Sequence, residues 1–273
     1  MPKTFQGEEK PLSSLAFLFL FAPNNSGSTV LSQYLAEQAG AYLPPFSNNE
    51  GQAAPAVRDM MMVRGRWKPG LRLDWRVIRR AWEGLARGRL FIEASPPNIL
   101  RAGEIAQVFG ADSTALLSIC DPYQQIASSL RRYYRPGRDL RAMGHSWVRK
   151  ATYIHEIQQQ FPWFPLIRHD DVVADPAVVN RAFALPVRPS TVRGKRDSGA
   201  QGVTDMRAVT TLFLTEAELD AASEALAPHA ALLAHFGYRV DKGARIIERL
   251  AARTPGALDQ AQARRRAWED APG

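Results

Sequence analysis

Four short apolar runs stand out along the chain. They are LAFLFLFA (15–22), RLFIEA (89–94), ALLSIC (115–120) and FPLIRH (164–169). A short, continuous apolar run is typical of a strand that is buried on both faces of a sheet. Because each run is separated from the next by enough residues for a helix, the pattern predicts parallel strands joined by helices. We therefore expect an α/β fold in which helices flank a central parallel sheet in three layers.

Helix signals between the runs support this arrangement. The segment TVLSQYLAEQAG places its apolar residues on one face and ends at Gly40, which predicts a helix directly after the first strand. PYQQIASSLRRYY predicts a second helix after the third strand. Near the C-terminus, Thr215 is followed three residues later by Glu218, the spacing of a capping box. The long stretch 44–88 between the first two strands is rich in proline, glycine and arginine and is interpreted as a lid or an acceptor-side insertion.

The turn between the first strand and the first helix carries the candidate chemistry. It reads Ser26, Gly27, Ser28, Thr29, and such a turn at a helix N-terminus presents main-chain N–H groups that can hold a phosphate. A nucleotide triphosphatase loop would also contain a lysine, and this turn has none. The predicted fold is therefore P-loop-like, but the anion and the source of positive charge need another explanation.

Composition is that of a globular protein with a basic surface. Hydrophobic residues make up 45% and charged residues 23%, which argues against wholesale disorder. The net charge of +8 indicates either anionic ligands or a genome rich in arginine codons. The single cysteine, Cys120, excludes an internal disulfide. We expect one domain over residues 1–243, followed by a basic helix or tail over 244–273 that lacks the aromatics of a nucleic-acid arm.

The apolar segment from Leu12 to Ala22 is too short to span a bilayer. Glu8 and Glu9 precede it, where a signal peptide would carry basic residues. We therefore expect no membrane span and a cytoplasmic location.

Several of these segments together resemble a known family. They are NNSGSTVLSQYL, NNEGQ, FIEASPPNILR, CDPYQQIASSLRR, RHDDVVADP and VRGKRDSGAQGVTDM, spread over about residues 15 to 240. The set is similar to the sulfotransferases that use 3′-phosphoadenosine 5′-phosphosulfate (PAPS), in particular the bacterial members similar to tyrosylprotein sulfotransferases. The resemblance implies an α/β fold whose first loop wraps the 5′-phosphosulfate. It also implies that the third strand and the helix after it hold the 3′-phosphate, and that no metal takes part.

The resemblance assigns the donor-binding roles by position. Ser26, Gly27, Ser28 and Thr29 would cradle the 5′-phosphosulfate. Ser128 lies eight residues after Cys120, as the family's serine follows its arginine, and is expected to bind the 3′-phosphate. The segment VRGKR contributes Arg193, Gly194 and Lys195 to the same phosphate.

Three cations that the family usually carries are absent. Asn25, Ala94 and Cys120 stand where the family has a basic residue. Sulfuryl transfer builds negative charge on the leaving phosphate, and losing one stabilising donor typically costs about 3–4 kcal/mol of barrier. Asn25 still offers an amide donor, and arginine side chains elsewhere could compensate, namely Arg101, Arg131 or Arg132.

The acceptor hydroxyl needs a general base. In the tyrosylprotein-like branch this is a glutamate after the first helix, which makes Glu50 the first candidate here and Glu93, at the end of the second strand, the alternative. An exposed loop carboxylate without a catalytic role remains possible for Glu50. His145, His155 and His169 have no metal-ligand spacing and are interpreted as structural.

Two functions from different classes follow. The first is a PAPS-dependent sulfotransferase that acts on a hydroxyl of a small molecule, sugar or peptide. The alternative is a weak or inactive sulfotransferase-fold protein that binds a nucleotide or a partner, which the three absent cations favour. A kinase is disfavoured because the loop lysine is missing.

Overall fold

The computed structural model describes residues 11–133, 138–192 and 206–270. The chain divides into two compact units, Met1–Ile119 with Tyr153–Gly194, and Cys120–Thr152 with Lys195–Gly273. Four parallel strands form one sheet in the order β2-β1-β3-β4, and helices flank it. The α/β, P-loop-like fold predicted from the apolar runs is confirmed.

The strands fall where the apolar runs predicted them. They are β1 (Phe17–Phe21), β2 (Phe91–Glu93), β3 (Ser113–Ile119) and β4 (Leu166–Arg168). The helices of the chain are α1 (Ser28–Ala39), α2 (Arg58–Met61), α3 (Trp75–Ala86), α4 (Ala102–Phe109), α5 (Pro122–Tyr133), α6 (Leu140–Gln160), α7 (His169–Ala174), α8 (Ala177–Ala182), α9 (Met206–Thr211), α10 (Glu216–Leu226), α11 (Ala230–His235), α12 (Gly243–Arg253) and α13 (Ala257–Glu269).

The central strand β1 is buried on both faces because its side chains alternate between two packed layers. Phe17 and Phe19 lie on one face, where each meets the Phe109 ring edge-on at 4.8 and 4.9 Å between centroids. Leu18 and Leu20 lie on the other face in a cluster that includes residues of α1. A strand covered on both sides must be apolar throughout, which explains the continuous run in the sequence.

Helix α1 ends as the sequence predicted. Gly40 adopts a left-handed conformation with a φ of 64°, and its N–H donates to the carbonyl of Ala36. Glycine pays little for this conformation, so it terminates helices readily.

The second unit is helical in its described residues. Thr215 caps α10, and the reciprocal bonds of a capping box with Glu218 are both present. Arg265 on α13 donates two hydrogen bonds to Glu218, at 2.8 and 3.1 Å. Residues 243–269 contain two helices, α12 and α13. Helix α13 packs beside α9 in a small apolar cluster. The domain boundary at residue 243 stays a prediction.

Within the three described ranges, none of the helices combines the length and apolarity that crossing a membrane requires.

Candidate functional site

The turn between β1 and α1 places several main-chain N–H groups at one point. Asn25 has a φ of 60° and Gly27 a φ of 82°, both left-handed, which asparagine and glycine tolerate better than other residues. Helix α1 then begins at Ser28 without any side-chain N-cap among the residues that the structure describes. The N–H groups in the first turn of a helix have no partner within the helix, and binding of an anion by them stays a prediction.

The predicted side chains of this turn have different surroundings. Ser26 is buried, and its hydroxyl donates to the carbonyl of Pro23 at 2.5 Å, so it stabilises the turn itself. Ser28 and Thr29 are half-buried in the first turn of α1. Ser26 to Thr29 therefore lie together, with the two hydroxyls of Ser28 and Thr29 more accessible than that of Ser26.

A histidine ring packs against the same turn. His169 is the first residue of α7, directly after β4. A Cβ placed on Gly27 would overlap the imidazole, with Nε2 2.8 Å away and two other ring atoms nearer still. The position therefore requires glycine both for its left-handed backbone and for this close approach.

Glu93 is a buried carboxylate at the end of β2. Its side chain is only 1% exposed. One oxygen accepts from the N–H of Ser95 at 2.9 Å and from the amide of Asn98 at 3.0 Å, and the other accepts from the N–H of Gly51 at 2.7 Å. The pKa of Glu93 is raised to about 7, mainly by burial and to a lesser extent by the negative charge of nearby Glu50, while the hydrogen bonds from Ser95 and Gly51 act in the opposite direction.

The segment that carries Glu50 is clamped onto the end of β2. The Gly51 peptide is held on both sides, because its N–H bonds Glu93 and its carbonyl accepts from the Trp82 indole at 3.2 Å. The next N–H, that of Gln52, donates to the hydroxyl of Ser95 at 3.1 Å, and the Gln52 side chain donates to Glu50. Glu50 itself is half-buried. The structure thus brings the two candidate bases together.

The turn and the carboxylate pair lie at the same edge of the sheet. Phe19 of β1 is in register with Glu93 of β2, and β1 continues in the same direction for two more residues. In an open parallel sheet, ligands bind at this carboxyl edge.

Arg101, considered as a replacement cation, has a structural role in this structure. It is buried, and its guanidinium donates to the carbonyls of Pro97 (2.9 Å), Arg66 (2.8 Å) and Lys68 (3.1 Å). It therefore fastens the segment around Arg66 to the turn after β2. The segment 44–88 contains α2 and α3 and is not a structureless insertion.

In the second unit, a lysine lies near the position of a missing cation. Cys120 is buried, and its carbonyl accepts from the indole of Trp147 on α6 at 3.2 Å. Lys150 follows Trp147 by three residues. Burial lowers the pKa of its ammonium to about 8, as does Arg149, while the thiol of Cys120 acts in the opposite direction. Ser128 is half-buried in α5.

The remaining predicted residues are placed as follows. Arg193, Gly194 and Lys195 lie outside the described residues. Arg131 and Arg132 are exposed in the last turn of α5, with Arg132 over the ring of Tyr133 at 5.5 Å.

Sequence reasoning interpreted His169 as structural and missed Lys150 and the close fit at Gly51. The position of His169 could have been noticed, since it is the last residue of a predicted strand (164–169) and so falls at the ligand-binding edge of the sheet. Lys150 is a helix residue whose neighbours become visible only in three dimensions, and the same is true of Gly51.

Comparisons with known proteins agree with this architecture. No protein-family model matches the chain, and no curated protein matches it in sequence. Among solved structures, it is similar to a sulfotransferase from Alicyclobacillus acidocaldarius, with 16% identity, a TM-score of 0.51, and coverage of 85% of this chain and 98% of that one. It is less similar to the sulfotransferase domain from the curacin biosynthetic pathway, with 17% identity, a TM-score of 0.48, and coverage of 90% and 98%. The sulfotransferase domain of the Synechococcus PCC 7002 olefin synthase has 16% identity, a TM-score of 0.45, and coverage of 99% and 100%. The chain therefore has the sulfotransferase fold.

Proposed function

We propose that this protein is a sulfotransferase that moves a sulfuryl group from PAPS to a hydroxyl acceptor. The observation that supports this best is the position of the carboxylate pair. On a sulfotransferase fold, Glu50 and Glu93 lie at the sheet edge where the anion-binding turn also lies.

The turn is assigned the 5′ end of the donor. The N–H groups at the start of α1 and the hydroxyls of Ser28 and Thr29 would bind phosphate oxygens, with Gly27 allowing close approach. The amide of Asn25 would donate to the phosphate that leaves. PAPS supplies a sulfuryl group joined to its 5′-phosphate through an oxygen.

The resemblance implies that Ser128 binds the 3′-phosphate, together with Arg193, Gly194 and Lys195. Ser128 offers a hydroxyl, and Lys150, which interacts electrostatically with Cys120, offers a positive charge in place of the cation that the family has at position 120. No residue of the described chain needs to hold a metal for these roles.

Glu50 is assigned the role of general base, and Glu93 the role of positioning it. Both oxygens of Glu93 are taken by N–H donors and the side chain is buried, so it cannot reach an acceptor. Glu50 is half-exposed and adjoins the clamped peptide of Gly51. Glu50 takes the proton of the acceptor hydroxyl while the oxygen of that hydroxyl forms a bond to the sulfur. At the same time the bond between the sulfur and the phosphate oxygen breaks, which releases adenosine 3′,5′-bisphosphate.

Calorimetric titration with adenosine 3′,5′-bisphosphate tests the donor assignment, with ATP and adenosine 5′-monophosphate as controls. We expect the 3′,5′-bisphosphate to bind most tightly, because only it carries both phosphates in the assigned positions. Equal binding of ATP would refute a PAPS site. Binding without any sulfuryl transfer to phenol, sugar or tyrosine-peptide hydroxyls would support the inactive alternative instead.

Substitution of Glu50 tests the catalytic assignment. Glu50→Gln should lower turnover by about 100-fold or more while leaving the affinity for adenosine 3′,5′-bisphosphate nearly unchanged. The matched control is Glu83→Gln, which changes a largely exposed glutamate on α3. Full turnover in Glu50→Gln would remove Glu50 from the mechanism.

A further inference from the structure

The imidazole of His169 lies against the turn that is assigned to the donor phosphate. A Cβ on Gly27 would overlap three ring atoms, Cε1, Nδ1 and Nε2, so the ring lies directly beside the main chain of the turn. His169 is half-buried, so part of the residue is exposed, and the Nδ1 atom of its ring is buried. Its place after β4 puts it at the carboxyl edge of the sheet, where ligands bind.

The turn itself brings no charge to this point. From Ala22 to Val30 the sequence contains asparagine, serine, glycine, threonine and proline, but no basic side chain. Main-chain N–H groups and a helix dipole of about half a charge can seat a phosphate, but a dianion is held better when a cation is also present. Histidine is the side chain that can supply this charge near neutral pH.

We propose that His169 is a donor-binding residue, whose imidazolium donates an N–H to an oxygen of the 5′-phosphate or phosphosulfate held at the Gly27 turn. This assignment rests on the proposed function, because it takes the turn to be the phosphate site. It supplies, from a helix far along the sequence, the charge that a lysine in the loop would otherwise provide.

The charged groups that surround the ring are compatible with this role. Arg168 donates two hydrogen bonds to Asp171, at 2.9 and 2.6 Å, so these two charges offset one another. On α8, which packs against α7, Arg181 donates to Asp175 at 2.8 Å. Asp170 lies next to His169 in the first turn of α7. A bound phosphate favours the protonated ring.

Proton uptake follows from this arrangement. When an anion binds next to an imidazole, it raises the proton affinity of the ring, so binding should take up a proton over the pH range in which the free ring is neutral. Affinity should therefore fall as the pH rises from about 6 to about 8. Lys150 also titrates in this range, so the assignment predicts the part of both effects that is lost when His169 is replaced, whereas replacing a histidine that merely packs against Gly27 would leave both effects unchanged.

The experiment is calorimetry of adenosine 3′,5′-bisphosphate with the full chain, between about pH 6 and pH 8. It is done in two buffers of different ionisation enthalpy, which gives the number of protons taken up. We expect wild-type affinity to fall by about tenfold over this range, with proton uptake near the middle of it. His169→Phe, which keeps a ring of similar size, should bind about tenfold more weakly at the lower pH, and its affinity should change less with pH than that of wild type.

A second variant and a control keep the test decisive. His169→Gln keeps an N–H donor without a charge, so it should bind with intermediate affinity and take up fewer protons than wild type, even if the phenylalanine variant does not fold. His145→Phe changes an exposed histidine on α6 and should behave as wild type. If both His169 variants bind as tightly as wild type and with the same pH dependence, this assignment is wrong while the proposed function is unaffected. A wild-type protein with no preference for the 3′,5′-bisphosphate over ATP would overturn the proposed function, and this assignment with it.

Discussion

Replacing Gly51 by alanine should break the clamp that holds the Glu50 segment. A Cβ at Gly51 would overlap the Glu93 carboxylate and lie 3.0 Å from two atoms of the Trp82 indole. The indole is fully buried and cannot move aside, so the carboxylate must move. That movement removes the hydrogen bond from the Gly51 N–H, which is 2.7 Å long and has a charged acceptor at pH values above 7, where Glu93 is mostly ionised.

The expected cost has two parts. A hydrogen bond to a charged group contributes about 1.5–3 kcal/mol, and overpacking in a filled core typically costs about 1–3 kcal/mol. Alanine lowers the conformational entropy of the unfolded chain relative to glycine, and this raises the free energy of unfolding by up to about 1 kcal/mol. The free energy of unfolding should therefore fall by about 2–5 kcal/mol.

Urea unfolding and hydrogen exchange measure this effect at two levels. The midpoint should fall by about 1–2 M urea, and amide exchange should speed up in the peptides around residues 46–54 and 91–99. Gly84→Ala is the matched control, since a Cβ there meets no atom within 4 Å. Gly84 lies inside α3, so alanine should stabilise the protein by about 0.5–1 kcal/mol. An unchanged midpoint and unchanged exchange in Gly51→Ala would show that the clamp is not rigid and that Glu93 does not position Glu50.

Two other predictions concern buried charges. The pKa of Glu93 is about 7 in the folded protein against 4.5 for an ordinary glutamate, so folding takes up a proton. The free energy of unfolding of wild type, relative to that of Glu93→Gln, should therefore be highest below about pH 4.5 and should fall by about 3 kcal/mol as the pH rises to 7. If urea unfolding shows a difference between the two proteins that does not change with pH, this prediction is wrong. Arg101→Met leaves three main-chain carbonyls without their donor, so trypsin should cut the segment 62–72 faster than in wild type. Equal cutting rates would show that Arg101 does not hold this segment in place.

Local features of the fold could be predicted from the sequence because their causes are local. The apolar run of β1, the stop at Gly40 and the capping box at Thr215 each depend on residues within a few positions. The position of the turn from Ser26 to Thr29 follows from the same kind of reasoning, since it needs only a strand, a glycine and a helix start in succession, and its phosphate-binding role stays a prediction.

The rest of the candidate site depends on contacts between distant segments. Glu93 and Gly51 are 42 residues apart, and the ring of His169 meets Gly27 across a much longer stretch of chain. No pattern of spacing encodes such pairs. The sequence offered Glu93 as an alternative base because it ends a strand. Our proposal that it instead positions Glu50 depends on its burial and its three N–H donors, which only the structure shows.

The turn between β1 and α1 has no lysine, and we expect this to slow the chemical step. Substitution of Asn25 by lysine tests this expectation. A packed ring such as His169 offers similar charge to the bound donor and to the transition state, and interactions that are equal in both do not raise the rate of the chemical step. A lysine at position 25 could follow the charge that develops on the leaving phosphate. Asn25→Lys should therefore raise single-turnover sulfuryl transfer by about tenfold or more, with a smaller gain in affinity for adenosine 3′,5′-bisphosphate.

The substitution has a cost that can be matched in a control. Asn25 has a φ of 60°, and a lysine in this left-handed conformation costs about 1 kcal/mol more than asparagine. Asn48 has a φ of 55° and is exposed outside the turn, so Asn48→Lys adds the same charge with the same backbone strain. If both variants lose stability but only Asn25→Lys gains rate, the charge acts at the leaving phosphate. Equal rates in the two variants and wild type would mean that the site already supplies the charge in full, or that the turn does not hold the leaving group.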